Sequence, residues 1–244
     1  MEKDQRHELI ENLDKYRIGI DDVFAFKCRS CGKCCRNRED ILLNSHDVYN
    51  LATALEMTNK QVIEAYCEVY IGQDSRMPIV RLMPKGVNRK CPLLNGDRCL
   101  IHAKNPYLKP VVCALFPIGR VVVSEHAPEG MELGNPHEIQ YIFNGATCGS
   151  AKRKQTVRIW LGNFNIPIDD HFFLKWNKAL FKIITTIQKY DGKDFVTERA
   201  MDMMWSAIFQ SLYIDYDTHQ EFHPQFENNI SKLLRVFDGL EKAF

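Results

Sequence analysis

Apolar residues fall into three regimes along this chain. Near the start, Leu9, Ile10, Leu13 and Tyr16 recur at helical spacing before Gly19, which predicts a short amphipathic helix. Within 39–44 the run Ile41-Leu42-Leu43 predicts a short strand, with Ser45 as the N-cap of the next helix. Val48, Leu51, Ala52 and Leu55, then Val62, Ala65, Tyr66 and Val69 after Thr58-Asn59, predict two short helices. The middle of the chain changes to short apolar runs at 78–83 and 119–124 and a weaker one at 138–143, which read as strands separated by Pro- and Gly-containing turns. After Cys148 the period becomes helical to the end. One stripe holds Trp176, Ala179, Leu180, Ile183 and Ile187, a second Met204, Ala207, Ile208, Ser211 and Leu212, a third Leu233, Leu234, Phe237 and Leu240. All three read as core.

The predicted fold class is therefore α+β: a small irregular cysteine-rich core with short strands and helices, followed by an α-helical C-terminal extension. The corresponding domains are residues 1–150 for the cysteine-cluster part, with its motif core at about 24–150, and 151–244 for the extension, packed on the same domain. At 244 residues, 45% hydrophobic and 26% charged, the chain can bury a substantial core. Its formal charge of +1 gives no global electrostatic case for nucleic acid or an anionic membrane. The first six residues are polar or charged apart from Met1, no apolar segment succeeds them, and no run approaches eighteen apolar residues, so the expectation is a soluble, cytoplasmic protein.

Cysteine changes the picture most. Four of the nine cysteines, Cys28, Cys31, Cys34 and Cys35, lie within eight residues. Overlapping C-x2-C spacings suit thiolates converging on a metal, because a short turn can aim both sulfurs inward. A reducing cytosol and an odd cysteine count argue against a disulfide scaffold. Cys67 sits among Ile63, Tyr66 and Tyr70 on a predicted helix and reads as a small core residue. The other eight, with Cys91, Cys99, Cys113 and Cys148 joining the first four, form the candidate metal-ligand set.

Eight thiolates could supply two four-coordinate centres or one larger assembly, holding zinc or an iron-sulfur cluster. Neighbours in an extended segment point to opposite sides, so Cys34 and Cys35 are expected to serve different centres, or one of them to be a bridging, non-ligand or redox-active thiol beside Lys33 and Arg36. Gly32 suits the tight turn between ligands. His102, three residues after Cys99, is an alternative ligand.

With these residues in view, the chain resembles the YkgJ-like cysteine-cluster family of zinc- or iron-chelating CxxCxxCC domains. The resemblance runs through Cys28-x2-Cys31-Gly32-x-Cys34-Cys35, then Ile41-Leu42-Leu43 with Asp47. It continues with Cys91-Pro92-Leu93-Leu94, then Gly96-Asp97-Arg98-Cys99-Leu100-Ile101-His102, and Lys109-Pro110-x2-Cys113-x2-Phe116-Pro117. Cys148 would be the closing cysteine. Two departures are visible: a longer segment between His102 and Lys109, and Gly149-Ser150 after Cys148 where Pro-Gly is expected.

The resemblance implies a metal-chelating protein with a structural or redox role and a metal ion as its ligand. A second reading is a cluster-dependent protein methyltransferase using S-adenosylmethionine, since the flagellin lysine methylase family is similar in its cysteine cluster. A third is a zinc-stapled module that binds protein or nucleic acid, for which Lys152-Arg153-Lys154 with Arg158 is the local support. No G-x-G-x-x-G, P-loop, H-E-x-x-H, G-x-S-x-G or H-x-E with P-C-x-x-C is present, so no catalytic residue is assigned.

Overall fold

The computed structural model describes residues 13–122, 139–143, 145–146, 148–193 and 196–243. In chain order they form α1 (Leu13–Tyr16), β1 (Arg17–Ile18), β2 (Val23–Lys27), β3 (Leu42–Leu43), α2 (Ser45–Leu55) and α3 (Asn59–Tyr66). Next come β4 (Cys67–Ile71), β5 (Pro78–Leu82), β6 (Leu94–Asn95), β7 (Arg98–Cys99), α4 (Leu100–Lys104), α5 (Val111–Leu115), β8 (Ile118–Val122) and β9 (Ile139–Phe143). The chain ends with β10 (Ser150–Thr156), α6 (Val157–Gly162), α7 (His171–Tyr190), α8 (Glu198–Phe209) and α9 (Phe222–Ala243). With 48% helix and 21% strand in several small antiparallel sheets, the fold class is α+β. No helix among the described residues is long and apolar enough to cross a membrane.

Contacts gather the described residues into two units, one drawn from Met1–Ile41 and Pro84–Leu174, the other from Leu42–Met83 and Lys175–Phe244. The first unit holds the sheet β1-β9-β8, the ribbon β10-β2 and the hairpin β6-β7. Its core is aromatic. β2 alternates, burying Phe24 and Phe26 while Val23 and Lys27 stay exposed, and the two rings meet Trp160 edge-on at 6.0 and 5.5 Å. Trp160 Nε1 donates to the Leu115 carbonyl at 2.9 Å, so the indole is buried without an orphaned donor. Burying each such ring stabilises this unit by about 2–3 kcal/mol.

The second unit packs helices on the sheet β3-β5-β4. Asn44, not Ser45, caps α2: its side chain accepts from Asp47 N at 2.8 Å while the Asp47 carboxylate accepts from Asn44 N, a reciprocal pair that a serine inside the first turn cannot make. Thr58 and Gln61 do the same for α3. That helix stops at Tyr66 because Cys67–Ile71 pairs along the whole of β5, so Val69 lies on a strand and not on the expected helix. Cys67 is buried at the start of that strand. Ile183, Ile187, Ile208, Leu212, Leu233 and Phe237 from the three C-terminal stripes are buried, as their spacing predicts, whereas Ala207 of the second stripe is exposed because it lies off the buried face marked by Met201, Ile208 and Leu212.

Expected elements differ in extent at the first helix and after Cys148. Of the first amphipathic helix, Leu9 and Ile10 lie outside the described residues, and the described part is a single turn that gives way to β1. The strands at 118–122 and 139–143 match expectation over the described residues, with 123–124 and Glu138 outside them. The stretch after Cys148 is not helical at once. Ser150–Thr156 forms β10, held by its antiparallel register with β2 and by Gln155 Nε2 donating to the Phe26 carbonyl at 2.8 Å.

Gly149, just before that strand, stands at φ +82°, and a Cβ there would meet Phe26 Cε2 at 2.4 Å and Lys27 O at 2.9 Å. Both the left-handed backbone and the packed ring exclude a side chain. Gly149→Ala is expected to destabilise by about 2–4 kcal/mol, read as a lower denaturation midpoint with an unchanged m-value.

Candidate metal centre

The first unit carries all eight candidate ligands, each supplied by a short element. β2 ends at Lys27, so the same alternation that buries Phe26 delivers the chain to Cys28 at the surface, where Ser30 N donates to the Cys28 sulfur at 3.4 Å. Gly32 at φ +64° reverses the chain. A Cβ there would stand 3.0 Å from the Asp97 carbonyl oxygen, so this glycine also admits the neighbouring hairpin. Lys33–Cys35 then forms one 3₁₀ turn, closed by Cys35 N donating to Gly32 O at 3.1 Å.

That turn corrects the expectation for the vicinal pair. Cys34 and Cys35 are not in an extended segment, and their sulfurs lie side by side, 3.7 Å apart. Two thiolates on one tetrahedral ion with metal–sulfur bonds of about 2.3 Å stand about 3.8 Å apart, so the pair has the spacing of neighbouring ligands.

Remote segments are tied to this turn by backbone. Cys91 N donates to Cys35 O at 2.8 Å, and Asn37 N to Arg89 O at 3.2 Å. Leu94 N returns to Cys91 O at 3.1 Å, and in the β6-β7 hairpin Leu94 pairs with Cys99. Arg36 forms an ion pair with Asp97 at the tip of that hairpin. Cys113 lies inside α5, its N–H bonded to Pro110 O and its carbonyl accepting from Lys109 Nζ at 3.2 Å. Cys148 contacts Cys31 through sulfur.

The thiols also feel one another's charge. The hydrogen bond from Cys35 holds the Cys34 thiol down to about 6, aided by Lys109 and Arg38 and opposed by burial. Cys35 is pushed strongly upward, first by that same bond and then by burial and the charges of Cys34, Cys113 and Cys91. Burial pushes Cys91 up to about 11, with Cys99 and Cys34 adding to it. Burial likewise pushes Cys148 up to about 11, with Cys34, Cys31 and Cys28 adding to it. These influences link all eight cysteines into one group. Cys28 and Cys31 act on Cys148, Cys99 acts on Cys91, and Cys91 and Cys113 act on Cys35, with Cys34 common to all three.

All nine cysteines are free thiols. Among the described residues no three His, Cys, Asp or Glu side chains are already gathered at metal-binding spacing. His102 is on α4, exposed, with its ring 6.4 Å from Phe164 and its pKa lowered by partial burial and by Lys109. Lys109, whose ammonium also lies 5.2 Å from the Phe164 ring, is the residue that sequence reading passed over. Its place in a Lys-Pro-x2-Cys element was the available signal.

Soft sulfur donors on several short, mutually tied segments fit zinc or iron and do not fit magnesium or calcium, which take oxygen ligands. This is the donor set that a zinc- or iron-chelating cysteine cluster presents. Residues 27–138, a little under half of the chain, match the model of the CxxCxxCC family, described as a putative zinc- or iron-chelating domain. Seven of the eight cysteines fall within that span. Cys148 lies beyond it and joins the group through Cys31. No curated protein and no solved structure matches the chain.

Proposed function

We propose that Cys28, Cys31, Cys34, Cys35, Cys91, Cys99, Cys113 and Cys148 hold zinc or iron in a thiolate assembly with the vicinal pair at its middle. The observation that carries this reading is the 3.7 Å approach of the Cys34 and Cys35 sulfurs. In the proposed arrangement Cys28, Cys31 and Cys148 form one flank of the pair and Cys91, Cys99 and Cys113 the other. Zinc there would be structural, while an iron-sulfur cluster would add an electron-accepting centre. The chain's own contribution is to bring five short segments together and to keep Lys109 and Arg38 near the developing negative charge.

The layout predicts graded losses. Cys31→Ser and Cys91→Ser each remove a ligand from one flank and are expected to lower metal content by about half, whereas Cys34→Ser with Cys35→Ser, at the shared centre, should abolish it. Elemental analysis of the purified variants reads this directly. Complete loss from either single flank variant would argue for one indivisible centre.

Metal uptake should also depend on pH with a fixed sign. The thiols at Cys91 and Cys148 are pushed up to about 11 and hold their protons at neutral pH. Loading therefore releases protons, and affinity falls as pH is lowered. Zinc added to metal-free protein in weak buffer should acidify it, and a competing chelator should win more readily at pH about 6 than at about 8.

A further inference from the structure

The ribbon β10-β2 carries a concentration of positive charge that the metal reading does not use. On β2, Val23, Ala25 and Lys27 face away from the core that holds Phe24 and Phe26. Antiparallel register puts Lys154 opposite Ala25 and Ser150 opposite Lys27. Between those two pairs Ala151, Lys152 and Arg153 stand against Phe26 alone, so β10 bulges there and both cations are exposed. Lys27 and Lys154 are thus about 7 Å apart along the ribbon, with Lys152 and Arg153 on the bulge between and exposed Arg29 just beyond Cys28.

Ion pairs in this unit engage Arg36, Arg38, Arg89, Arg120 and Arg158. Among the described residues no acid pairs with Lys27, Arg29, Lys152, Arg153 or Lys154. Like charges this close repel within the screening length of about 8 Å, which costs stability and leaves the ribbon in need of an anion. The cysteines do not supply it as their chief counter-charge, since the cations acting most on Cys34 are Lys109 and Arg38. A charged, bulged edge also blocks strand-to-strand aggregation, but glutamates would serve that purpose equally and one or two charges would suffice.

We infer that this ribbon is the docking surface for the acidic face of a partner protein, which it brings beside the exposed Cys28 end of the cysteine group. Single-stranded nucleic acid fits less well: stacking needs exposed aromatic rings, and the exposed large apolar side chain that the ribbon itself carries, Val23, is aliphatic. The formal charge of +1 supplies no long-range field for a phosphate backbone, whereas a local patch suits a small, transient, charge-steered protein encounter. The purpose of the encounter, exchange of metal or electrons, rests on the proposed metal centre; the encounter itself does not.

The test uses the full chain as purified, with fluorescein-labelled poly-L-glutamate as the probe and anisotropy as the readout. Wild type should bind at low salt, and Lys152→Glu/Arg153→Glu/Lys154→Glu should bind about tenfold or more weakly. Lys178→Glu/Lys232→Glu/Arg235→Glu, with the same change in net charge, should retain binding. Equal loss in both variants, no loss in either, or tighter binding of a DNA duplex than of poly-L-glutamate would overturn the inference. So would loss of metal from the ribbon variant, which would assign these cations to the cysteine group. Should the charge reversal lower the melting temperature, Lys152→Gln/Arg153→Gln/Lys154→Gln takes its place with the same expected direction. A wild-type chain that binds poly-L-glutamate but holds no metal would refute the metal centre and leave the docking surface standing.

Discussion

Stripping metal from the protein should unfold its first unit. The eight cysteines come from segments separated by up to 120 residues, and beyond the aromatic core these segments are tied near the sulfurs by a handful of backbone hydrogen bonds and the exposed or half-exposed pairs Arg36–Asp97 and Arg89–Glu39. Exposed pairs contribute at most about 1 kcal/mol. Structural zinc, by contrast, has an apparent binding free energy of about 10–16 kcal/mol at neutral pH, comparable to the whole stability of an ordinary domain at about 5–15 kcal/mol. Chelation under reducing conditions is therefore expected to lower the melting temperature by more than about 10 °C, and Cys34→Ser/Cys35→Ser to reproduce that loss without chelator. The aromatic core around Phe26 and Trp160 should lose its near-ultraviolet circular dichroism at the same transition. A melting curve indifferent to chelator and to both substitutions would mean that the cysteines do not hold this unit together.

The second large effect lies away from the cysteines. Arg120 on β8 is buried with only 4% of its side chain exposed, donating to Asp170 at 2.7 Å and lying 3.8 Å from the Phe173 ring centroid. Asp170 also accepts from Phe173 N at 2.9 Å, so one carboxylate serves both the guanidinium and the start of α7. Asp170→Ala removes both partners and leaves a cation in a site with no other described acid bonded to it, which should cost about 3–5 kcal/mol. Asp170→Asn keeps the acceptor for Phe173 N and should cost less. Replacing the whole pair, Arg120→Met with Asp170→Leu, is expected to cost only the lost cap, about 1 kcal/mol, because desolvation of both charges is then avoided. Denaturant midpoints for the three variants separate a buried-charge penalty from simple loss of contact. Equal losses in Asp170→Ala and the double variant would reject it.

How much of this molecule is legible in its sequence depends on how local each feature is. The CxxCxxCC turn, the 3.6-residue stripes on α7 to α9 and the pairing of Pro78–Leu82 as a strand are written in residues that lie side by side. β10 is invisible for the opposite reason. Ser-Ala-Lys-Arg-Lys-Gln-Thr has no apolar alternation, and it becomes a strand because β2, more than 120 residues earlier, offers its edge. The vicinal pair misleads on a similar ground: whether Cys34 and Cys35 diverge or align depends on the φ of Gly32 and on the 3₁₀ turn it starts, which spacing alone does not fix. The Arg120–Asp170 pair, 50 residues apart, leaves no local trace at all.

The central claim is that the clustered cysteines are metal ligands, and metal analysis of anaerobically purified protein, with its visible spectrum, tests it most directly. The account predicts zinc in colourless protein, or iron in brown protein that bleaches on reduction, with the cysteine group protected from alkylation until metal is removed. Protein free of both metals, with all eight clustered thiols titrating at once in the native state, would contradict it.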